Sequence, residues 1–501
     1  MLFEMKRMVL GAVVLAYGSV FACTEFFIGK NVSADGSWII ARTVDAPPWN
    51  GSHRCEVTPR VENVSGRMFT NPGNKFTWPL PTTTWKYVST PRIASIQKDR
   101  ASACVNEKGF AISGTVTAHP RKEWTDLDPY NHETAPGENS LPELLVACCA
   151  TAREALDLTE KIIEERGHDG GEIYTFADKD EAWLVEVYTG HQWAAVRLPP
   201  DKVSVFGNQF MIGSFDPSSP DVRFSKDLIA LPERLGKLVK GADGLPDLYD
   251  TYSGPLTDYA NYRTWFAHEK LAKDSLGDYR TDLRVPFLFA PSHKVTVKEL
   301  FALSRSRYEG TAWNPEETGK LTSRTIGTTK QMSCHVIQLH PDLPPAFAGT
   351  VWVALGNAEH IPYLPMNAAI TEVDRAFGAD QEKGPYRFDV QLAGHAFRRL
   401  ATLAELNRKW YGAGVRAYWE RCEDELLASY PLVLSKCAKT GEAAELTDFC
   451  SKAQGRAYAD ALRIFDDLMW YAVANNRIEG DGSGATSLPV RPFSVSSRDV
   501  K

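Results

Sequence analysis

The sequence lacks the short motifs that mark several common classes of protein. It has no glycine-rich loop of the Walker or dinucleotide-binding type, no Cys-x-x-Cys pair, and no zinc-ligand spacing among its 11 histidines. Clusters of basic residues are also missing, and the formal net charge of the 501 residues is −7. We therefore expect no metal, no organic cofactor and no nucleic-acid partner.

Long hydrophobic runs are missing after the first 22 residues. Nothing beyond that point approaches the roughly 18 apolar residues that a membrane-spanning helix needs. Hydrophobic residues make up 43% of the chain and charged residues 24%, which is typical of a soluble globular protein of two or three domains. The sequence therefore predicts no stable membrane anchor once the N-terminal segment is removed.

The N-terminal segment has the three parts of a secretion signal. Lys6 and Arg7 provide the positive start, residues 8–17 provide the apolar stretch, and Val20 and Ala22 provide small side chains at the cleavage site. Residues 1–22 are therefore predicted to be a signal peptide that is removed. The mature protein would be exported, to the periplasm or the extracellular space.

Cleavage at this point would make Cys23 the new N-terminus. An N-terminal cysteine carries a thiol nucleophile and an α-amine with a pKa of about 7.7–8.0, which can exchange protons near neutral pH. The position therefore suggests an N-terminal-nucleophile hydrolase. Two other interpretations stay open at this point: an ordinary cysteine near a cleavage site, and the lipidated cysteine of a lipoprotein. The segment before Cys23 is a poor lipidation signal, because Phe21 fills a slot that favours small residues.

The other eight of the nine cysteines form an even set in an exported chain, where disulfides are permitted. Cys422, Cys437 and Cys450 are close in sequence and are the best candidates for a local bridge. Adjacent Cys148 and Cys149 lie in an apolar, helix-like stretch and are predicted to be buried thiols.

The pattern of apolar residues predicts strands, then paired helices, then strands again. Predicted strands cover 24–28, 38–41, 101–105, 110–115, 172–177, 182–188, 193–197, 202–207, 333–339 and 349–355, and predicted helices cover 141–152, 153–166 and 297–308. This order indicates an α+β fold, a layered sandwich of mostly antiparallel sheets. We place this unit at 23–385 and expect a mainly helical region at 386–475, with one face formed by Leu400, Leu403, Asn407 and Trp410. Residues 476–501 are expected to be loosely ordered.

A series of ordered matches links the chain to a known family. The series opens with Cys-Thr-Glu-Phe-Phe-Ile-Gly-Lys from Cys23 and continues with Ala-Arg-Thr-Val-Asp at 41–45, Asn-Glu-Lys-Gly at 106–109 and Gly-Asn-Gln-Phe at 207–210. Further matches lie at 151–155, 181–186, 189–193, 307–311 and 352–365. Together they cover about residues 23–370. The chain resembles the PepD-like cysteine dipeptidases, which are N-terminal-nucleophile (Ntn) hydrolases related to bile-salt hydrolases and penicillin V acylases.

The resemblance implies an Ntn-hydrolase αββα sandwich and assigns roles to five residues. Cys23 corresponds to the nucleophile and Arg42 to the arginine beside the thiol, which favours the ionised form. Asp45 corresponds to the carboxylate that orients the α-amine. Although strand alternation separates residues three apart, we expect Arg42 and Asp45 both to turn inward where the strand ends. Asn106 and Asn208 correspond to the two asparagines near the oxyanion.

Each of these residues also has a structural explanation. Arg42 suits a strand surface, Asp45 suits a turn before two prolines, Asn106 suits the turn Asn-Glu-Lys-Gly, and Asn208 suits the end of a strand. No residue is matched to the two termini of a substrate.

The resemblance implies an exported dipeptidase that acts on small peptides through a thioester intermediate. The helical tail is expected to pack on the core or to form a homo-oligomer interface. Two alternatives remain. One is an Ntn amidase or acylase for N-acyl amides of the conjugated bile salt or penicillin type. The other is a non-catalytic lipoprotein that binds peptides or wall fragments and is lipidated at Cys23.

Overall fold

Two antiparallel β-sheets lie face to face, and helices cover the outer side of each. The computed structural model describes residues 23–46, 52–93, 101–114, 117–138, 140–273, 276–319, 324–380, 388–475 and 492–495. The strands are β1 Thr24–Ile28, β2 Trp38–Asp45, β3 Glu56–Thr58, β4 Val61–Glu62, β5 Met68–Thr70, β6 Thr77–Pro79, β7 Thr83–Thr84, β8 Tyr87–Ser89, β9 Ala103–Asn106, β10 Ala111–Ser113, β11 Glu172–Ala177, β12 Ala182–Val187, β13 Trp193–Arg197, β14 Val203–Phe206, β15 Val222–Phe224, β16 Gln331–Leu339, β17 Gly349–Ala354 and β18 Leu364–Asn367. The helices are α1 Lys122–Leu127, α2 Ser140–Cys148, α3 Ala152–Arg166, α4 Asp227–Arg234, α5 Leu248–Tyr252, α6 Asp258–Leu271, α7 Val297–Arg305, α8 Pro315–Thr318, α9 Pro345–Ala348, α10 Arg375–Gly378, α11 Ala393–Glu405, α12 Ala413–Thr440 and α13 Ala444–Asn475, with a π-helix at Arg408–Gly412.

The six-stranded sheet has the order β14-β1-β2-β16-β17-β18. The predicted strands 24–28 and 38–41 are present as β1 and β2, which pair as a hairpin, but β2 continues to Asp45 instead of ending at Ala41. Every residue of β2 is buried. Because both faces of this sheet are covered, no alternation of polar and apolar residues marks the true end of the strand. The longer strand carries the segment from Arg42 to Asp45 beside the start of β1.

The eight-stranded sheet has the order β15-β13-β12-β11-β10-β9-β8-β3. The predicted strands 172–177 and 193–197 agree with β11 and β13 to the residue, and the predicted strands 101–105 and 110–115 are present as the paired strands β9 and β10. Strands β3 and β8 come from the segment after residue 46, where the sequence pattern predicts no strand. They were missed because each is only three residues long.

The helices complete an α–β–β–α arrangement. Helix α2 packs on β9 and β10 of the eight-stranded sheet and α3 packs against α2, while α6, α7 and α13 pack on the six-stranded sheet. The predicted αββα sandwich is therefore confirmed. Helix α3 begins where it does because the side chain of Thr151 accepts a hydrogen bond from the Glu154 amide at 3.1 Å, and it ends at Gly167, which has φ +73°.

The C-terminal region is mainly helical, as expected from the sequence. The predicted face is only half correct: Leu400 and Leu403 belong to α11, but Asn407 lies beyond its end and caps the π-helix by accepting from the Trp410 amide at 3.0 Å. Helices α12 and α13 have 28 and 32 residues, and no helix in the described part of the chain is long and apolar enough to span a membrane. The predicted signal and all but 492–495 of the predicted loose tail lie outside the described residues.

The predicted disulfide among the C-terminal cysteines is wrong, since all nine cysteines are free thiols. Cys422 and Cys437 lie on the same helix, and their separation of fifteen residues is about 22 Å of helix, far beyond the reach of a bridge. Cys437 and Cys450 are both buried as thiols. Of the pair predicted to be buried, Cys149 is buried and Cys148 is partly exposed.

Candidate active site

Cys23 lies directly before β1 and is 1% exposed. Strands β2 and β14 flank β1 and bring residues from elsewhere in the chain close to Cys23. Thr24 pairs with Thr43 of β2, and the Thr24 amide donates to Thr43 Oγ1 at 3.1 Å. On the other side β1 pairs with β14 so that Glu25 is opposite Phe206. Continuing that antiparallel register by two residues places Asn208 beside Cys23.

Arg42 contacts the sulfur of Cys23. Its Nη2 donates a hydrogen bond to Sγ at 2.9 Å and another to Glu138 Oε1 at 2.8 Å, while its Nη1 donates to the carbonyl oxygen of Gly114. The side chain of Arg42 is completely buried between the sheets. Burial alone would lower the pKa of Arg42, but the charges of Cys23 and Glu138 raise it, so the guanidinium remains protonated.

The thiol of Cys23 is subject to opposing influences. Burial raises its pKa above the usual value, the charge and hydrogen bond of Arg42 lower it, and the carboxylates of Glu138 and Asp45 raise it. Arg42 therefore supplies the main influence that favours a thiolate. Any positive charge brought near Glu138 or Asp45 will favour the thiolate further.

Asp45 is the last residue of β2. Its Oδ2 accepts hydrogen bonds from Arg324 and from Thr43 Oγ1, whereas Oδ1 is buried and has no hydrogen-bond partner among the described residues. Strict alternation along β2 would separate two residues that are three apart, yet the charges of both Arg42 and Asp45 act on the thiol of Cys23. The expectation that both side chains turn inward stays a prediction. Burial raises the pKa of Asp45, and Arg324 and Arg263 lower it.

Arg263 is a site residue that the sequence analysis missed. From α6 it donates to the carbonyl oxygen of Cys23, to Thr24 Oγ1 at 3.0 Å and to Asn208 Oδ1 at 2.8 Å. Burial and the neighbouring Arg324 lower the pKa of Arg263 to about 10. The signal in the sequence is a cationic residue inside the aromatic run 262–266. In the structure, the residues of this helix from Ala260 to His268 are all buried.

Arg324 was missed too, because it lies in a loop without regular structure. It ion-pairs with Asp45, whose charge raises the pKa of Arg324 although burial alone would lower it. No carboxylate lies within ten residues of Arg324 on either side except Glu316 and Glu317, so local charge pattern indicates no partner. The pairing depends on the tertiary fold.

The two predicted asparagines differ in their surroundings. Asn208 donates through Nδ2 to the Thr117 carbonyl at 2.9 Å and accepts from Arg263, which places it in the same hydrogen-bond network as Cys23. It lies two residues after the end of β14.

Asn106 instead uses its whole side chain to organise the turn after β9. Its Nδ2 donates to the carbonyl oxygens of Val146 and Cys149, both at 2.8 Å, and its Oδ1 accepts from the amides of Lys108 and Phe110. Both amide hydrogens are therefore committed to the C-terminal end of α2. With no donor left for an oxyanion, we remove Asn106 from the candidate site.

One cluster in the described residues has the spacing of a metal site. Oxygen or nitrogen atoms of Glu359, His360 and Glu405 lie within 4.8 Å of one another. However, Glu359 also pairs with three guanidinium groups, those of Arg307, Arg408 and Arg416. These cations already balance the carboxylates, so the cluster is an ion-pair network that joins the sandwich to the C-terminal helices.

Comparison with known proteins identifies the family. Residues 22–421 match the model of Peptidase family C69. The probable dipeptidase B of Streptococcus pyogenes serotype M1 is 29% identical over 377 residues, which are 72% of this chain and 74% of that protein. The probable dipeptidase of Salmonella dublin is 28% identical over 400 residues, 78% of this chain and 91% of that protein. The solved structure of penicillin V acylase from Agrobacterium tumefaciens shares 14% identity, covers 69% of this chain and 86% of its own, and superposes with a TM-score of 0.31. The family match spans most of the chain and includes the hairpin that carries Cys23, Arg42 and Asp45, so this chain belongs to Peptidase family C69 and is a cysteine peptidase.

Proposed function

We propose that this chain is an exported dipeptidase whose nucleophile is Cys23 after removal of residues 1–22. The hydrogen bond of 2.9 Å from Arg42 Nη2 to Cys23 Sγ carries the proposal, because it places a buried permanent cation on the thiol that directly precedes β1. The buried, unpaired Oδ1 of Asp45 is suited to accept a hydrogen bond from the α-amine of Cys23. The names of the relatives, which are probable dipeptidases, support the same substrate class.

The first half of the reaction transfers the acyl group to sulfur. The α-amine of Cys23 takes the thiol proton as the sulfur bonds to the peptide carbonyl carbon, and the carbonyl electron pair moves to oxygen. Asn208, held by Arg263, donates to that oxyanion, an interaction worth about 3 kcal/mol in comparable sites. The C–N bond then breaks, the amine returns its proton to the leaving nitrogen, and the C-terminal amino acid departs from a thioester.

The second half hydrolyses the thioester. Water attacks the acyl carbon and gives a proton to the α-amine of Cys23, and the C–S bond breaks as the sulfur recovers a proton. The products are two free amino acids and the original enzyme. Asp45 orients the amine through both halves.

The first test removes the sulfur. In protein that begins at Cys23, the variant Cys23→Ala should lose hydrolysis of Ala-Ala while its thermal midpoint stays nearly unchanged. Cys422→Ala is the matched control, since Cys422 is a partly exposed thiol on α12 that takes no part in the site, and it should keep full activity. Retention of more than a few per cent of turnover by Cys23→Ala would contradict the proposal.

The second test concerns the substrate class. A dipeptidase must recognise a free ammonium and a free carboxylate, and blocking either leaves a buried partner unpaired at a cost of about 1–3 kcal/mol. We expect Ala-Ala to be cleaved at least about tenfold faster than its N-acetyl or C-amide forms. Faster cleavage of these compounds, or of a glycine-conjugated bile salt, would assign the chain to the acylases. A diacylglyceryl group on Cys23, seen by intact mass in the native host, would indicate a lipoprotein.

A further inference from the structure

Glu138 is a carboxylate that is linked to the proposed nucleophile, Cys23, through the side chain of Arg42. It lies in the loop that leads into α2, and its Oε1 accepts a hydrogen bond from Arg42 Nη2 at 2.8 Å. Its side chain is 15% exposed, whereas that of Arg42 is 0% exposed. Of the linked groups Cys23, Arg42 and Glu138, the carboxylate is therefore the part that a solute reaches.

The distance from Glu138 to the sulfur is limited by the atom they share. Arg42 Nη2 is 2.9 Å from Cys23 Sγ and 2.8 Å from Glu138 Oε1. The carboxylate oxygen is therefore at most about 6 Å from the sulfur, within two hydrogen-bond lengths. The second oxygen of Glu138 has no hydrogen-bond partner among the described residues.

The ammonium group of a dipeptide must lie in the same region. In a reactive complex the carbonyl carbon is about 3–3.5 Å from the attacking atom. Standard bond lengths place the α-nitrogen about 2.5 Å from that carbonyl carbon. The ammonium is thus about 3–6 Å from the sulfur, where the carboxylate of Glu138 can accept a hydrogen bond from it.

The balance of charge favours the same partner. When Cys23 is ionised, the thiolate and Glu138 share the guanidinium of Arg42, while Arg263 is bound to the Cys23 carbonyl oxygen and Arg324 to Asp45. A substrate ammonium gives Glu138 a cation that it does not share with the thiolate, and a neutral acyl chain does not. Buried or half-buried charges without partners are costly, so the site is matched to a substrate that brings a cation.

We propose that Glu138 binds the free α-ammonium group of the dipeptide and so makes this site specific for unblocked N-termini. The proposal rests on the proposed function and adds the residue that selects the substrate. It assigns Glu138 a role beyond that of counter-ion to Arg42. The bound ammonium also offsets the negative charge that disfavours the thiolate, so the correct substrate helps to ionise its own nucleophile.

The test compares Ala-Ala with propionyl-alanine, which replaces the ammonium by hydrogen and keeps the remaining atoms. In the wild type we expect Ala-Ala to be preferred by at least about tenfold in kcat/KM. In Glu138→Gln we expect kcat/KM for Ala-Ala to fall at least about tenfold, chiefly through KM, while propionyl-alanine is cleaved as before or faster. Glu133→Gln is the matched control, since Glu133 lies in the same loop but is exposed and pairs with Lys75, and it should behave as wild type.

A role as counter-ion alone predicts a different result. If Glu138 only orients Arg42, its loss would lower the cleavage of both substrates by the same factor. An unchanged ratio of kcat/KM for Ala-Ala over propionyl-alanine in Glu138→Gln would therefore overturn the proposal. The variant Glu138→Asp keeps the charge but shortens its reach, so it should retain the folded state and still reduce the ratio. If the wild type does not prefer Ala-Ala at all, the proposed function fails and this assignment fails with it. If the wild type prefers Ala-Ala and Glu138→Gln keeps the same ratio of kcat/KM for Ala-Ala over propionyl-alanine, the proposed function stands. Only the role of Glu138 in binding the ammonium group is then refuted.

Discussion

Arg324 pairs with one oxygen of Asp45, and the other oxygen has no hydrogen-bond partner in the part of the chain that the structure describes. The pair joins residues 279 positions apart, and both side chains are buried. Because the bonded oxygen is fixed, the direction of the unpaired Oδ1 is fixed as well. Arg324 therefore positions Asp45 for the proposed hydrogen bond between its Oδ1 and the α-amine of Cys23.

Asp45→Asn and Arg324→Ala should therefore impair the same step. We expect Asp45→Asn to lower kcat for Ala-Ala by about a hundredfold or more, since the base loses its orientation, with a smaller change in KM. Arg324→Ala should also act mainly on kcat, and Arg324→Lys should restore part of the loss because it keeps the charge. Steady-state kinetics with thermal midpoints would check this, and a change confined to KM in both variants would contradict it.

Arg42 should set the pH at which the enzyme becomes active. Burial raises the pKa of Cys23 and Arg42 lowers it, so Arg42→Ala should raise the thiol pKa further. The acid limb of the kcat/KM profile should then move to higher pH by about one unit or more. Arg42→Lys keeps the charge without the forked geometry and should move it less. Alkylation of Cys23 as a function of pH measures the same pKa, and profiles that superimpose on wild type would exclude this role.

The two asparagines should separate into one that serves catalysis and one that serves stability. Asn208→Ala should lower kcat by about a hundredfold, as expected for loss of an oxyanion donor. Asn106→Ala removes four hydrogen bonds, three of them buried, and should lower the free energy of unfolding by several times about 1 kcal/mol, while kcat/KM of the folded enzyme stays within about threefold of wild type. Urea unfolding and kinetics on both variants would check this. If Asn106→Ala instead lost kcat and Asn208→Ala lost only stability, Asn106 would belong to the catalytic site.

Processing should switch the activity on. In a chain that retains residues 1–22 the nitrogen of Cys23 is an amide, which has no usable basicity, so we expect no hydrolysis of Ala-Ala. The same protein beginning at Cys23 should be active. Intact mass must establish that the longer chain is uncut when it is assayed, and full activity from such a chain would refute a role for the α-amine.

Glu25 should make stability depend on pH. Burial raises its pKa from 4.5 to about 8, and the hydroxyl of Thr175, the charge of Arg42 and the hydroxyl of Ser113 lower it by less. The folded state therefore holds this proton more tightly than the unfolded state. The resulting stabilisation is complete below about pH 4.5 and is lost as the pH rises to about 8. Glu25→Gln has no such proton, so its stability relative to wild type should increase between pH 5 and pH 8.5 in urea unfolding. A difference that stays constant over this range would show that Glu25 does not titrate there.

The sequence by itself determined the fold class, the family and the central hairpin of the site. Cys23, Arg42 and Asp45 lie within 23 residues of one another, and the turn between their strands is short, so local pattern and ordered motifs are sufficient to find them. The long helices and most strands follow for the same reason, since their periodicity is a local property.

Only the tertiary structure decided which other residues reach that hairpin. Glu138, Arg263 and Arg324 come from a loop, a wholly buried helix and a second loop, and each contacts a partner between 96 and 279 residues away. No period or spacing encodes such pairs; they exist because the sheets and helices stack. The same stacking separates the two asparagines, whose sequence signals are alike: the turn after β9 uses all of the Asn106 side chain, and the pairing of β14 with β1 brings Asn208 beside Cys23.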